Sequence, residues 1–240
     1  MKFGFSTGTL HQQLDAKQAL RVIKQTGCPA VELGFVRKSR IEQGWLEALV
    51  KDDLEGFQYV SFHAPKMYYE NNEETHHIFD LMGRIHKMRP LDLVVFHPDN
   101  VVDVEVFKNL PFPVGFENMD IQKPFGKTPE DIRELLDKND NFHFVLDTNH
   151  IKSNDPTMKL TNKFYKKLGD KITEYHISGL GSDYPHIPLF QTQETDILTA
   201  IKDPSKPIIC ESRLSPDEIN QEKEYIERIL FKKIINNPHA

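Results

Sequence analysis

The stretch "FVLDTNH", residues 144–150, runs three apolar residues into an aspartate and, three positions later, a histidine. Phe144, Val145 and Leu146 read as the end of a buried strand, and Asp147 and His150 arrive where that strand runs out. One such pair is easily chance. The same ending on strand after strand would mark a site.

Eight apolar runs recur along the chain: "KFGFST" (2–7), "AVELGF" (30–35), "YVSFHA" (59–64), "LDLVVFH" (91–97), "PVGFEN" (113–118), "FHFVLD" (142–147), "TEYHIS" (173–178) and "KPIICES" (206–212). Most are rich in Val, Ile and Phe, as expected for strands buried on both faces. Helical stretches lie between them. "LDAKQALRVIKQTG" ends in Gly27 at a C′ position. "NEETHHIFDLMGRIHKM" carries Ile78, Leu81, Met82 and Ile85 at three- and four-residue spacing. "TPEDIRELLDKN" has Thr128 as N-cap, Pro129 in the first turn and Asp131 three residues after the cap. The last helix opens on "SPDE", where Ser215 and Glu218 match a capping box with Pro216 at the first helical position.

Strands alternating with helices predict a parallel sheet with right-handed crossovers. Eight units in 240 residues fit a single α/β domain over 1–240, a (β/α)8 TIM barrel with its site at the C-terminal ends of the strands. An open doubly wound sheet would more often show five or six strands and a glycine-rich first turn. "STGTL" has one glycine and is no nucleotide loop, so no cofactor-binding segment of that kind is expected.

Composition adds exclusions. Net charge is −6, charged residues make up 28% and the hydrophobic set 38%, which is ordinary for a globular protein and calls for no polyanionic partner. Two cysteines are too few for a disulfide framework. With no signal segment and no apolar run long enough for a membrane span, a cytoplasmic location away from membranes is expected.

Six consecutive strands end on a His, Asp or Glu: His63, His97, Glu117, Asp147 with His150 close behind, His176 and Glu211. In such a barrel these ends converge on one face. Alternation then turns Phe96, Phe116, Leu146 and Cys210 outward to the helices. Three carboxylates and several imidazoles at one place need a positive charge between them, because unpaired buried charge is costly. A divalent metal answers that. Mixed N and O ligands suit Zn²⁺ first, with Mn²⁺, Co²⁺, Fe²⁺ or Mg²⁺ as alternatives. "SDYPHIP" adds Asp183 and His186 in a loop on the same face, which with His150 supply donors for another ion.

Other residues read as structural. His76, His77 and His86 lie on a helix outside the barrel, His143 begins a strand and His239 sits in the tail. His11 is expected at the surface. Glu32 would line the barrel or pair with a buried cation, "NEE" (72–74) is a helix N-terminus with favourable charge, and Cys210 is a small buried hydrophobe.

"FHAP", "VVFHPD", "FENMD", "LDTNH", "YHIS" and "CES", in that order, make the sequence resemble the xylose-isomerase-like TIM-barrel superfamily, nearest to the endonuclease IV (AP endonuclease family 2) and sugar isomerase-epimerase branch. The resemblance runs from the first strand to the last. It implies a metal site from Glu117, Asp147, His176 and Glu211. It further implies a second site from His63 and His97 with Glu117 bridging, and a third from His150, Asp183 and His186, so one to three ions.

Two chemistries share that scaffold. A one-metal isomerase or epimerase acting on a sugar or sugar phosphate would use Glu117 and Glu211 as acid and base, with His150 on a substrate oxygen. A multinuclear zinc hydrolase would cut abasic DNA. The full histidine set favours the hydrolase. The acidic balance, the short chain and the scarcity of DNA-gripping cations (Lys66, Lys123, Lys127 and Arg213) favour a small sugar-like substrate, which is the expectation carried forward.

Overall fold

The computed structural model describes residues 1–181 and 185–236. Eight strands close into an all-parallel barrel: β1 (Phe3–Ser6), β2 (Ala30–Gly34), β3 (Tyr59–His63), β4 (Leu93–Phe96), β5 (Val114–Glu117), β6 (Phe142–Asp147), β7 (Ile172–Ile177) and, after a small antiparallel pair β8 (Gly179–Leu180) and β9 (Pro185–Ile187), β10 (Ile208–Cys210). β10 pairs with both β1 and β7 and completes the ring.

The helices are α1 (Ala16–Gln25), α2 (Lys38–Glu42), α3 (Lys51–Leu54), α4 (Glu73–Met88), α5 (Pro129–Leu136), α6 (Thr148–Asn154), α7 (Leu160–Leu168), α8 (Leu189–Thr192), α9 (Thr195–Thr199) and α10 (Ile219–Asn236). Asp15 and Thr128 close capping boxes on α1 and α5, and Gly27 takes a left-handed φ of 71° just past α1. None of the described helices is long and apolar enough to cross a membrane.

Alternation sorts the side chains as the pattern requires. Phe96, Phe116, Leu146 and Cys210 join the core under the helices, whereas Ala30, Tyr59, Leu93, Val95, Val145 and Ile209 form a separate cluster inside the ring. The outward residues beside the site are locked by rings. Phe96 and Phe116 pack on Phe107 with centroids 4.9 and 5.6 Å away, and Tyr69 meets Phe96 at 5.1 Å. Gly4 lets β1 close on β2, since a Cβ there would lie 1.9 Å from the Ala30 carbonyl oxygen.

Three expectations need correction. The last helix begins at Ile219, not Pro216. The Glu218 carboxylate accepts from the Ser215 backbone N and Oγ at 2.8 and 2.9 Å, so that pair closes a turn ahead of the helix. His11 is buried, edge-on to Trp45 at 5.3 Å and Phe35 at 6.4 Å. His186 lies on the short strand β9 rather than in a loop. Asp183 and His239 fall outside the described residues.

Candidate metal centre

Asp147 ends β6 and also caps α6, its Oδ1 accepting the His150 backbone N–H at 2.9 Å. This is why the apolar strand carries an acid to its tip. The capped turn puts His150 in the first turn of α6, where its Nδ1 donates to the Asn118 carbonyl at 2.8 Å and leaves Nε2 without a hydrogen bond among the described residues. Neighbouring strand ends are laced to the same spot. The Asn118 side chain exchanges hydrogen bonds with the Asp147 backbone at 2.8 and 2.9 Å, and Asn149 Nδ2 donates to the Ser178 carbonyl.

Glu117 sits at the centre. Its Oε1 lies 3.0 Å from His176 Nδ1, and its Oε2 lies 3.3 Å from both His63 Nε2 and His97 Nε2. One oxygen thus faces each of two clusters. Glu117, Asp147, His176 and Glu211 each bring a ligand atom within 4.8 Å of the others, and His63, His97 and Glu117 do the same. Ligands about 2.1 Å from an ion can be at most about 4.2 Å apart, so small inward movements complete the first set. The fit is supported by Asp147 Oδ2, buried without a hydrogen-bond partner among the described residues. Three carboxylates and an imidazole are donors for Zn²⁺, Mn²⁺, Co²⁺ or Mg²⁺.

Electrostatics separate the carboxyls. Burial opposes ionisation of Glu117, but the His176 charge and hydrogen bonds from three imidazoles outweigh it and hold the group well below the usual range. Glu211 has fewer partners. Burial pushes it up to about 8, and burial likewise raises Asp147 to about 6. Burial disfavours a charged His63, yet the Glu117 hydrogen bond and Glu32 lift it to about 9. Burial leaves His97 and His186 down at about 3.

The remaining candidates lie alongside. His186, at a left-handed φ of 68°, meets Ser178 Oγ at 3.1 Å and Glu211 Oε2 at 3.7 Å, and its ring centroid is 6.1 Å from that of His150. A non-glycine residue held there is backbone strain of the kind found at functional sites. Sequence reasoning missed Glu174, whose Oε1 lies 2.9 Å from His176 Nε2, and the pairing of Glu32 with that nitrogen at 3.2 Å. Both carboxylates are fully buried. The i−2 spacing of Glu174 before His176 was the available signal.

Above these side chains opens a cleft of about 480 Å³, lined by His63, His97, Glu117, His150, His186 and Glu211 among others. The architecture matches solved structures along nearly its full length. A D-tagatose 3-epimerase-like protein superposes with a TM-score of 0.69 at 19% identity, covering 100% of both chains. The IolI protein with a bound zinc atom gives 0.71 at 20% identity, covering 97% of this chain and 99% of the other. A xylose isomerase domain containing protein from Salmonella typhimurium gives 0.72 at 15%, covering 96% and 97%. The fold is the (β/α)8 TIM barrel that these structures share. No protein-family model matches the sequence. No curated protein matches it either.

Proposed function

We propose that the protein is a divalent-metal-dependent isomerase or epimerase of a small sugar or sugar phosphate, acting as one barrel domain over 1–240. The observation that carries this is the convergence of Glu117, Asp147, His176 and Glu211 at the C-terminal mouth of the barrel. Support comes from the likeness to a D-tagatose 3-epimerase-like protein and to zinc-bound IolI. When bound there, a divalent ion supplies polarisation of vicinal substrate oxygens and acidifies the carbon proton between them.

The chain's own groups do the rest. Glu117, held ionised by its imidazoles, is the base that takes the carbon proton, and Glu211, the other glutamate of the ligand set, is the acid that returns one. His150, anchored through Nδ1, presents Nε2 to a substrate oxygen. Catalytic roles go to Glu117, Glu211 and His150. Metal-holding roles go first to Glu117, Asp147, His176 and Glu211.

One observation favours a second reading. His63, His97 and Glu117 Oε2 form a cluster that could hold another ion, as a multinuclear phosphodiester hydrolase requires. Metal content per chain of wild type and of His63→Ala with His97→Ala separates the two. One ion that survives the double substitution, with carbon-proton exchange on ketose substrates, supports the isomerase. Two or three ions that fall with those histidines, and metal-dependent nicking of abasic DNA, would overturn it.

A further inference from the structure

The cleft over the metal-binding side chains gathers cations. Its lining takes Arg37 and Arg40 from the segment after β2, Lys66 from after β3, Lys123 from after β5 and Arg213 from after β10. Among the described residues, and outside the metal-binding set, Asp120 is the one carboxylate in that lining. This is opposite in sign to the chain as a whole, which carries −6.

Two of the cations are already engaged. Lys123 pairs with Asp99 at 2.9 Å, and the Arg40 guanidinium lies 5.7 Å from the Trp45 ring centroid. Arg37, Lys66 and Arg213 make no side-chain hydrogen bond or ion pair among the described residues. Burial and then the Lys123 charge depress the pKa of Lys66, while Arg213 and Lys66 both act on His186. Like charges gathered in a half-enclosed cleft repel one another, an arrangement that favours capture of an anion from solution.

We propose that Lys66, Arg213 and Arg37 form an anion subsite at the cleft mouth that takes the phosphate of a phosphorylated monosaccharide. The inference rests on the isomerase or epimerase reading and narrows its substrate to a sugar phosphate. Guanidinium forks and a lysine ammonium match phosphate oxygens by charge-assisted hydrogen bonds. A cleft of about 480 Å³ has room for such a ligand with its carbon chain over the ligand set. Holding the phosphate away from the reacting carbon orients the chain between Glu117 and Glu211.

The test is calorimetric titration of the purified full-length chain with inorganic phosphate, with metal content measured in the same samples. Saturable binding is expected, weakened on the order of 10-fold or more in Lys66→Gln with Arg213→Gln. Metal content and the thermal melt should not change, and Lys138→Gln, in the exposed turn just past α5, should bind phosphate like wild type. Absence of saturable binding, or binding equally tight in the double variant because the metal alone holds the anion, overturns the subsite. Tighter Lys66-dependent binding of duplex DNA than of phosphate overturns the monosaccharide assignment. A chain that binds no metal but keeps Lys66-dependent phosphate binding sinks the isomerase reading and leaves the subsite standing.

Discussion

His176 Nε2 lies 2.9 Å from Glu174 Oε1, two residues back on the same strand and pointing into the same barrel interior. A donor proton on Nε2 fixes the ring so that Nδ1 is the nitrogen offered to Glu117 and to a metal.

Glu174→Gln therefore weakens metal affinity by about 10- to 100-fold, the usual consequence of losing a carboxylate behind a ligating imidazole. A competition titration against a zinc chelator measures it. Unchanged affinity would reduce Glu174 to a buried polar group with no bearing on the metal.

Metal uptake displaces protons. His176, His63 and Glu211 are all held protonated beyond their ordinary ranges, His63 to about 9 and Glu211 to about 8, and ligation by any of them requires the proton to leave. Metal binding should tighten as pH rises from about 6 to 9, with net proton release visible as a buffer-dependent binding enthalpy. Identical enthalpies in buffers of different ionisation heat would contradict this.

The same groups set stability without metal. His63 contributes stability that is full below its ordinary 6.5 and lost as pH rises through about 9. Glu211 prefers its neutral form, so its penalty grows from its ordinary 4.5 up to about 8. Above pH 6.5 the folded chain binds more protons than the unfolded one, and the metal-free melting temperature falls toward pH 9. Bound metal should flatten that decline. A metal-free melt rising over the window would refute it.

Phe107 fills the space between Phe96 and Phe116, the outward neighbours of His97 and Glu117. Phe107→Ala should cost about 3–5 kcal/mol in denaturant unfolding and loosen metal binding as well. A loss under about 1 kcal/mol would mean that the surrounding rings collapse into the gap.

Gly4→Ala places a methyl group 1.9 Å from a backbone oxygen that cannot swing aside. We expect a loss of about 3 kcal/mol or more, seen as little soluble protein or a sharply lowered melting temperature. A wild-type melt would show that β1 and β2 can separate without cost.

Much of this was written in the sequence. The eight strands and the strand-end residues His63, His97, Glu117, Asp147, His176 and Glu211 follow from a two-residue alternation, which is local and needs no partner to be read. The Thr128 cap and the Gly27 stop are equally local. His11 was misjudged because nothing near it in sequence reveals the ring of Trp45 over it. The start of α10 was misjudged because Ser215 gives its hydroxyl to Glu218 instead of accepting from the helix.

What only the closed barrel decided is which polar residues share a space. Sequence alone delivers a carboxylate or imidazole to each strand end. Ring closure and stagger then determine that Glu117 turns one oxygen to His176 and the other to His63 and His97, that Glu32 and Glu174 meet behind His176, and that Arg37, Lys66 and Arg213 border one cleft. Glu174 and His176 aside, these residues are tens to well over a hundred positions apart. Side-chain direction is a property of a few neighbouring dihedrals, whereas contact between distant strands exists only once every strand is paired.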